Sequence, residues 1–287
     1  MPKKTTKPRN KYRKTSKKKK KQKSLFSSAR DMFGLLPTWF KHVVAIGIIF
    51  VFAVSFYYYL IRPYPYFWRP CYGIRGYGIC LPGGYSVHGL DISHYQGNID
   101  WLELAKSKEN LTPIRFIFMK ATEGGDLDDK TFARNFDLAR QYGFIRGAYH
   151  FFSPRTDIKK QAEFFIKNVQ LKSGDFPPVL DIEIIGKNSK EELQGKVIYW
   201  LTRIEEHYGV KPIIYSSFKF KMDYLDNAVF DDYLYWIAHY YVNKLRFTGD
   251  WCFWQHTDKG RVPGIKESVD MNVFNGRLEE LQRMLMK

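Results

Sequence analysis

Two carboxylates stand out in this chain, Asp181 and Glu183, at the end of the segment PPVLDIE (177–183). Pro177, Pro178, Val179 and Leu180 ahead of them are all apolar, so the segment reads as a buried strand. A strand's period of two puts Asp181 and Glu183 on one side and turns Ile182 to the other. Two carboxyls that close at an apolar strand end repel each other and lose hydration, so one keeps its proton to a higher pH than the other. The result is an acid and an anion side by side, the equipment for cleaving a glycosidic bond. The plainer reading of a D-x-E, strand-end acids in salt bridges or capping the next helix, is weakened by the wholly apolar approach and by other acids expected at the same rim.

The elements that must position this pair alternate between short apolar runs and helical patterns, the signature of parallel β/α units. Strands are expected at 87–93, 115–122, 145–152, 177–183, 212–217, 233–240, 250–257 and 268–274, and helices at 100–107, 131–142, 157–168 and 190–208. In the second helix Phe132, Phe136, Leu138 and Ala139 share a face, and Gly143 stops it. Eight strands in this length are few residues for a full (β/α)₈ barrel of typically about 250. After residue 215 the helices shorten or vanish. The expectation is therefore an α/β fold, a TIM-like (β/α) barrel whose last strands lack full helices.

In such a barrel the active site is built at the C-terminal ends of the strands. Strand by strand, that rule brings Asp91, then Lys120 and Glu123, then Tyr149 and His150, then Asp181 and Glu183, to one rim. Trp236, His239 and Tyr240 follow, then Gln255 and His256, and finally Asp270 and Asn272 at the start of the last strand. Alternatives remain at several positions. Asp91 can cap a helix starting near Asp100, Asp270 can pair with Arg277, and Tyr149 and Trp236 can be core. His150 reads as a hydrogen-bonded core histidine.

The net charge of +17 is not spread over the chain. Residues 1–42 hold 15 Lys/Arg against one acid, Asp31, while the rest holds 31 against 28. The basicity is a property of a tail, which argues against nucleic acid as a partner of the folded domain. Residues 43–61, VVAIGIIFVFAVSFYYYLI, carry no charge and at about 1.5 Å per residue reach roughly 28 Å, close to a bilayer core of about 30 Å. Lys41 and Arg62 bracket this run, and Tyr57, Tyr58, Tyr59, Tyr64, Tyr66, Phe67 and Trp68 form an aromatic belt at its far end. A cleaved signal peptide, the rival reading, has an apolar core of about 7–15 residues and a small-x-small cleavage site. The run here is longer, and tyrosines fill the cleavage region.

Four regions result: a basic cytoplasmic tail (1–42), a transmembrane helix (43–62), a proline- and glycine-rich extracytoplasmic linker (63–86) and a catalytic domain (87–287). The expected location is the cell membrane, single-pass, with the C-terminal domain periplasmic or at the cell surface. Cys71 and Cys80 close a short loop suited to a disulfide in an oxidising compartment, and Cys252 reads as a buried strand residue. No CxxC or HExxH pattern suggests a metal site, and no GxGxxG or P-loop suggests a nucleotide; no cofactor is expected.

Five motifs, in order, resemble those of the family 25 glycoside hydrolases, the Chalaropsis-type lysozymes: VHGLDISHYQGNIDW (87–101), FMKATEGG (118–125), RGAYHFF (146–152), PPVLDIE (177–183) and WQHTDKGRVPGIKESVDMNVFNG (254–276). The resemblance covers about residues 87–280. It implies a flattened β/α barrel that cleaves the β-1,4 bond between N-acetylmuramic acid and N-acetylglucosamine in peptidoglycan. Carried over, Glu183 is the general acid/base and Asp181 the carboxylate that orients or stabilises the charged intermediate. Asp91 and Asp270 match the family's other rim acids, and Tyr149 an active-site tyrosine. Tyr149, Trp236, Tyr240, Gln255 and Glu123 are the expected substrate contacts. GGDLDDKTF after the second strand follows the family only loosely. The expected reaction proceeds with retention and substrate assistance, in a monomer. The alternative is a catalytically silent, membrane-tethered glycan-binding protein, against which the complete set of rim acids argues.

Overall fold

A computed structural model describes residues 36–61, 71 and 73–287, which fall in two units, 1–63 and 64–287. In the first unit the described residues form one helix, α1 (Thr38–Phe56), carried on by a π-helical turn over Tyr57–Ile61. Across Thr38–Tyr59, 22 residues, the mean hydropathy reaches 2.0 and none of the apolar window is buried. This helix is long and apolar enough to cross a membrane, by length and composition. The tail through residue 35, Arg62 and the expected belt residues Tyr64, Tyr66, Phe67 and Trp68 lie outside the described residues.

The second unit opens with a hairpin, β1 (Ile74–Gly76) and β2 (Ile79–Leu81), with Cys80 of β2 disulfide-bonded to Cys71. These residues belong to the stretch expected as a linker, yet several of them pack against the barrel. Leu81 is buried in the main apolar cluster, and Tyr85 sets its ring edge-on to Trp254 at 5.9 Å. The turn residues Tyr77 and Gly78 both have positive φ, 52° and 74°, as a tight two-residue hairpin requires. For Tyr77 that conformation is unfavourable. It is held because the Tyr77 hydroxyl donates to the Thr112 carbonyl at 2.6 Å and the Arg261 N–H donates to the Tyr77 carbonyl at 2.8 Å.

The barrel follows: β3 (His88–Ile92), β4 (Ile114–Glu123), the short β5 (Leu127–Asp128), β6 (Ile145–Phe151), β7 (Val179–Asp181), β8 (Ile213–Ser217), β9 (Tyr235–Ala238), β10 (Trp251–Gly260) and β11 (Val269–Phe274). All eight expected strands are present. Pairing runs β3-β4-β6-β7-β8-β9-β10-β11 and back to β3, a closed eight-stranded barrel, with β5 folded back on the end of β4. The expectation of a TIM-like barrel needs one correction. From β3 through β4, β6, β7, β8 and β9 to β10 the successive barrel strands are parallel, but β11 is antiparallel to both β10 and β3. A parallel crossover takes about a dozen residues. Residues 239–250 between β9 and β10 provide that; residues 261–268 before β11 do not, so the chain turns straight back.

Helices α2 (Trp101–Ala105), α3 (Phe132–Gln141), α4 (Ile158–Asn168) and α5 (Lys190–Tyr208) lie where the sequence places them. The later α6 (Phe218–Tyr224) and α7 (Leu278–Arg283) are short. Alternation divides the core in two. Leu90, Ile117, Leu180, Ile182, Ile214, Ile237 and Trp254 pack outside the barrel, whereas Phe116, Phe118, Phe176, Trp236 and Phe253 fill its interior. The interior phenylalanines take the space left by glycine: a Cβ on Gly89 would lie 2.3 Å from the Phe116 ring, and one on Gly147 2.4 Å from Phe118. That aromatic plug forms a floor on which the polar residues of the upper strands stand.

Candidate active site

At the C-terminal mouth a cavity of about 260 Å³ is lined by Asp91, Asp181, Glu183 and Asp270, together with Tyr149, Tyr215, Trp236, Tyr240, Gln255 and Lys120. Each is delivered by a strand end. Asp181 closes β7, and Glu183 lies two residues past it. Ile182 between them is buried in the outer layer and donates its N–H to the Tyr215 carbonyl at 2.9 Å. Alternation therefore continues beyond the strand's formal end and turns both carboxylates into one cavity. Asp91 and Asp270 arrive from facing positions of β3 and β11. Neither caps the helix at Asp100 nor pairs with Arg277. Asp100 caps α2 itself, and Arg277 contacts Glu280.

The two carboxyl pairs are solvated differently. Asp91 accepts hydrogen bonds from Gln255 Nε2 at 2.8 Å and Asn272 Nδ2 at 2.7 Å, and Asp270 bonds to it as well. Burial pushes Asp91 up and these donors pull it back, leaving it at about 6. Asp270, half-buried, short of hydration and beside the Asp91 charge, is pushed to about 9. The shared proton therefore belongs to Asp270, and Asp91 is the anion. Asp181 has no such donors: its Oδ1 is buried without a hydrogen-bond partner. Burial first, then the Glu183 and Asp91 charges, hold its carboxyl well above the usual range, against the pull of Lys120. Glu183 is exposed as a residue at the mouth, but loss of hydration around its carboxyl still raises its pKa, opposed by Tyr215.

Gln255 joins the cluster together. Its Oε1 accepts from the hydroxyls of Tyr215 at 2.7 Å and Tyr240 at 2.6 Å, and its Nε2 donates to Asp91 and, at 3.3 Å, to Asp270. Two hydroxyl donors on one side and two acids on the other fix the amide's orientation. Only 1% of Gln255 is exposed, yet it lines the cavity and holds Asp91 and Asp270 in place. Trp236 is likewise buried, stacked on Phe118 at 4.6 Å and donating Nε1 to Asn272 at 2.7 Å. Tyr149, half-buried, leans on its edge at 6.3 Å.

Glu123 is not among the residues lining this cavity. It pairs with Lys120 at 2.6 Å and lines an adjoining recess with His94 and Asp129. His150 is a core residue between Thr122 at 2.7 Å and Gln161 at 3.1 Å. His256 is buried, with neither ring nitrogen partnered. The sequence reading passed over Tyr215, although the signal was there: Ile214 and Ser216 alternate with it in PIIYSS, so it points inward at a strand end. Among the described residues no group of three or more His, Cys, Asp or Glu side chains is disposed to hold a metal ion.

An eight-stranded α/β barrel with four neighbouring carboxyls at its mouth is a frame for glycoside hydrolysis. The family model for glycosyl hydrolases family 25 matches residues 90–265, and the chain belongs to that family. An uncharacterized protein, YegX, of Escherichia coli O6:H1 strain CFT073 is 43% identical over 250 residues, 83% of this chain and 90% of its own. Lysozyme M1 of Streptomyces globisporus is 31% identical over 218 residues, 68% of this chain and 70% of its own. A family 25 glycosyl hydrolase from Bacillus anthracis superposes with a TM-score of 0.64 at 34% identity, covering 70% of this chain and 94% of its own. A bacterial lysozyme from Streptomyces coelicolor gives 0.65 at 30%, covering 70% and 97%.

Proposed function

We propose that the protein is a membrane-anchored N-acetylmuramidase. It cleaves the β-1,4 bond between N-acetylmuramic acid and N-acetylglucosamine in peptidoglycan, with retention of configuration and with the substrate's own acetamido group as nucleophile. The observation that carries this reading is the buried, unpartnered Asp181 Oδ1 in the same cavity as Glu183. An amide N–H of the bound sugar would donate to the part of the Asp181 carboxyl that faces this cavity. Accepting it favours the Asp181 anion, so the proton available to the pair rests on Glu183. Asp181 and Glu183 stand on one side of one strand, an arrangement unsuited to attack on opposite faces of a sugar. It suits a mechanism in which the second group comes from the substrate.

In the first step Glu183 gives its proton to the bridging oxygen, the C1–O bond breaks and the acetamido oxygen bonds to C1. The positive charge that develops on the acetamido nitrogen lies against the Asp181 anion. In the second step water attacks C1, gives its proton to Glu183 and returns the acetamide. Asp91, kept anionic by Gln255, Asn272 and Asp270, adds a negative field on which the cationic intermediate can rest.

Release of reducing ends from purified peptidoglycan tests the activity, and mass analysis of the products tests the bond. Glycans with N-deacetylated muramic acid should resist. Their rapid cleavage, or products of inverted configuration, would remove substrate assistance and return Asp91 or Asp270 to consideration as a second catalytic carboxylate.

The same proposal extends to location. The lysine-rich residues before α1 stay in the cytoplasm, α1 spans the membrane once, and the barrel works outside it as a monomer on glycan strands. The basic tail, the uncharged helix and the Cys71–Cys80 disulfide all favour this orientation. Protease added to intact spheroplasts should digest the barrel side and spare the tail; the reverse pattern would overturn the topology.

A further inference from the structure

Besides glycine, two described residues take positive φ: Tyr77 in the hairpin turn, and Tyr241 at 59°. Tyr241 follows Tyr240, whose side chain lines the acid cavity. A left-handed conformation is unfavourable for tyrosine and persists only where its surroundings hold it. The Tyr241 N–H donates to the His256 carbonyl at 3.4 Å and its hydroxyl donates to Asp258 Oδ1 at 2.5 Å. Its ring meets that of Tyr240 edge-on at 5.9 Å. Asp258 is placed by a second irregularity. Thr257 of β10 pairs with Met271 and Gly260 with Val269, so Asp258 and Lys259 together face the single residue Asp270 of β11. Such a β-bulge re-aims side chains beside an active site. Asp258 is not among the residues lining the acid cavity, yet its charge acts there. Loss of hydration, then the Asp91 charge, then the Asp258 charge hold the proton on Asp270, and Glu183 adds less. The phenols of Tyr149 and Tyr240 also face Asp270, and exposed Lys259 meets Asp258 at 3.4 Å.

Asp258 therefore reaches the acid cluster by two routes. One runs through the chain. Tyr240 gives its hydroxyl to Gln255 Oε1 at 2.6 Å, and Gln255 in turn meets Asp91 and Asp270. The aim of Tyr240 depends on the chain turning away at the very next residue, and the Tyr241–Asp258 hydrogen bond holds that turn. The other route is the field across the bulge. We propose that Asp258 is a positioning residue of the acid cluster: through Tyr241 it aims the Tyr240 hydroxyl at Gln255, and through its charge it keeps the shared proton on Asp270. The role bears on catalysis only if this cluster performs the cleavage proposed above.

The test uses the full-length chain and takes the two routes apart. Tyr241→Phe removes only the hydroxyl that Asp258 accepts. On soluble, peptide-free glycan strands it is expected to lower kcat/KM by about fivefold, the worth of one hydrogen bond. Made in a Tyr240→Phe background, which has already lost the aimed hydroxyl, it should lower the rate no further. A residue that only stabilised the loop would cost the same in both backgrounds. Asp258→Asn tests the field. With that charge gone, Asp270 falls from about 9 toward its ordinary value, so less stability is lost as pH rises from about 4 to 9. Melting temperatures at pH 5, 7 and 9 should then show the difference, Asp258→Asn minus unmodified, rising with pH, while Tyr241→Phe, which keeps the charge, runs parallel to the unmodified protein. An unchanged rate in Tyr241→Phe, equal losses in the two backgrounds, or a difference for Asp258→Asn that stays flat with pH overturns the role. Failure of the unmodified protein to cleave the strands overturns instead the acid/base reading, and the melting series, which needs no turnover, still decides whether Asp258 acts on Asp270.

Discussion

The mouth of the barrel holds two pairs of carboxyls that are alike in composition and opposite in behaviour. Asp181 and Glu183 come from one strand end. Asp91 and Asp270 face each other across two strands. The second pair is saturated: Asp91 accepts from Gln255, Asn272 and Asp270, which favours its anion and leaves the proton to Asp270. The first pair is starved at one member: Asp181 Oδ1 is buried and unpartnered, while Glu183 has a hydrogen bond with Tyr215. A carboxyl already supplied with donors gains little from a ligand, which suits the fixed charge proposed for Asp91. A starved pair changes its protonation when a ligand brings a donor, and that is what a proton-transferring site must do. Position at the rim marks all four acids alike; the donors around each one separate the two pairs.

The largest effect should come from the starved pair. Glu183→Gln removes the transferable proton without changing shape and is expected to cost on the order of 100-fold or more in kcat on peptidoglycan, with an unchanged melting temperature. Near-normal turnover would take Glu183 out of the mechanism. Asp181→Asn should follow, losing tens-fold to about 100-fold, since an amide neither accepts the acetamido N–H as strongly nor offsets the charge that develops there. This variant should also lose the discrimination against N-deacetylated muramic acid. Full retention of that discrimination would mean another group reads the acetamido.

Asp91→Asn probes the saturated pair at its anion. The new amide can keep its oxygen where Gln255 Nε2 and Asn272 Nδ2 both meet Asp91 Oδ2, but two hydrogen bonds to an anion become bonds to a neutral acceptor, at about 1–3 kcal/mol in stability. At about 2–4 °C per kcal/mol for a domain of this size, the melting temperature should fall by several degrees. The activity loss should be about tenfold, below that of either member of the first pair, because a field is weakened and no proton transfer is lost. A loss as deep as that of Glu183→Gln would promote Asp91 to a direct role.

Much of this was legible in the sequence. All eight strands, and the gathering of Asp91, Asp181, Glu183 and Asp270 at one rim, follow from alternation and from the rule that strand ends carry the chemistry. Three things did not follow. The antiparallel return of β11 depends on residues 261–268, a connection too short for a crossover and invisible to strand alternation. The packed hairpin at 73–86 was hidden behind its prolines and glycines, since composition does not show that Tyr77, Leu81 and Tyr85 have a surface to bury against. The roles of Gln255 and Trp236 turn on depth: a strand-end position is the same whether a side chain meets the substrate or holds up the residue that does. Tyr215 was a plain omission, as the alternation in PIIYSS points it inward.

The smallest effect should come from Asp270→Asn, and its smallness is the sharpest check on the comparison. If Asp270 carries the pair's proton, an amide is close to its isostere: neutral, of the same size, and able to donate to Asp91. Activity near neutral pH should then change by no more than about threefold, well below the loss expected for a general acid or base. The pH dependence of stability should change more. A carboxyl raised from 3.8 to about 9 in the folded state binds its proton more tightly folded than unfolded. Its stabilising contribution is complete below about pH 4, declines as pH rises and is lost once pH passes about 9. Asparagine has no proton to lose, so the variant should gain on the unmodified protein steadily between pH 4 and 9. Melting temperatures measured at pH 5, 7 and 9 would show the difference, variant minus unmodified, rising with pH. A difference that falls with pH would mean that Asp270 is the charged member, and that the assignment of anion and acid within this pair must be exchanged.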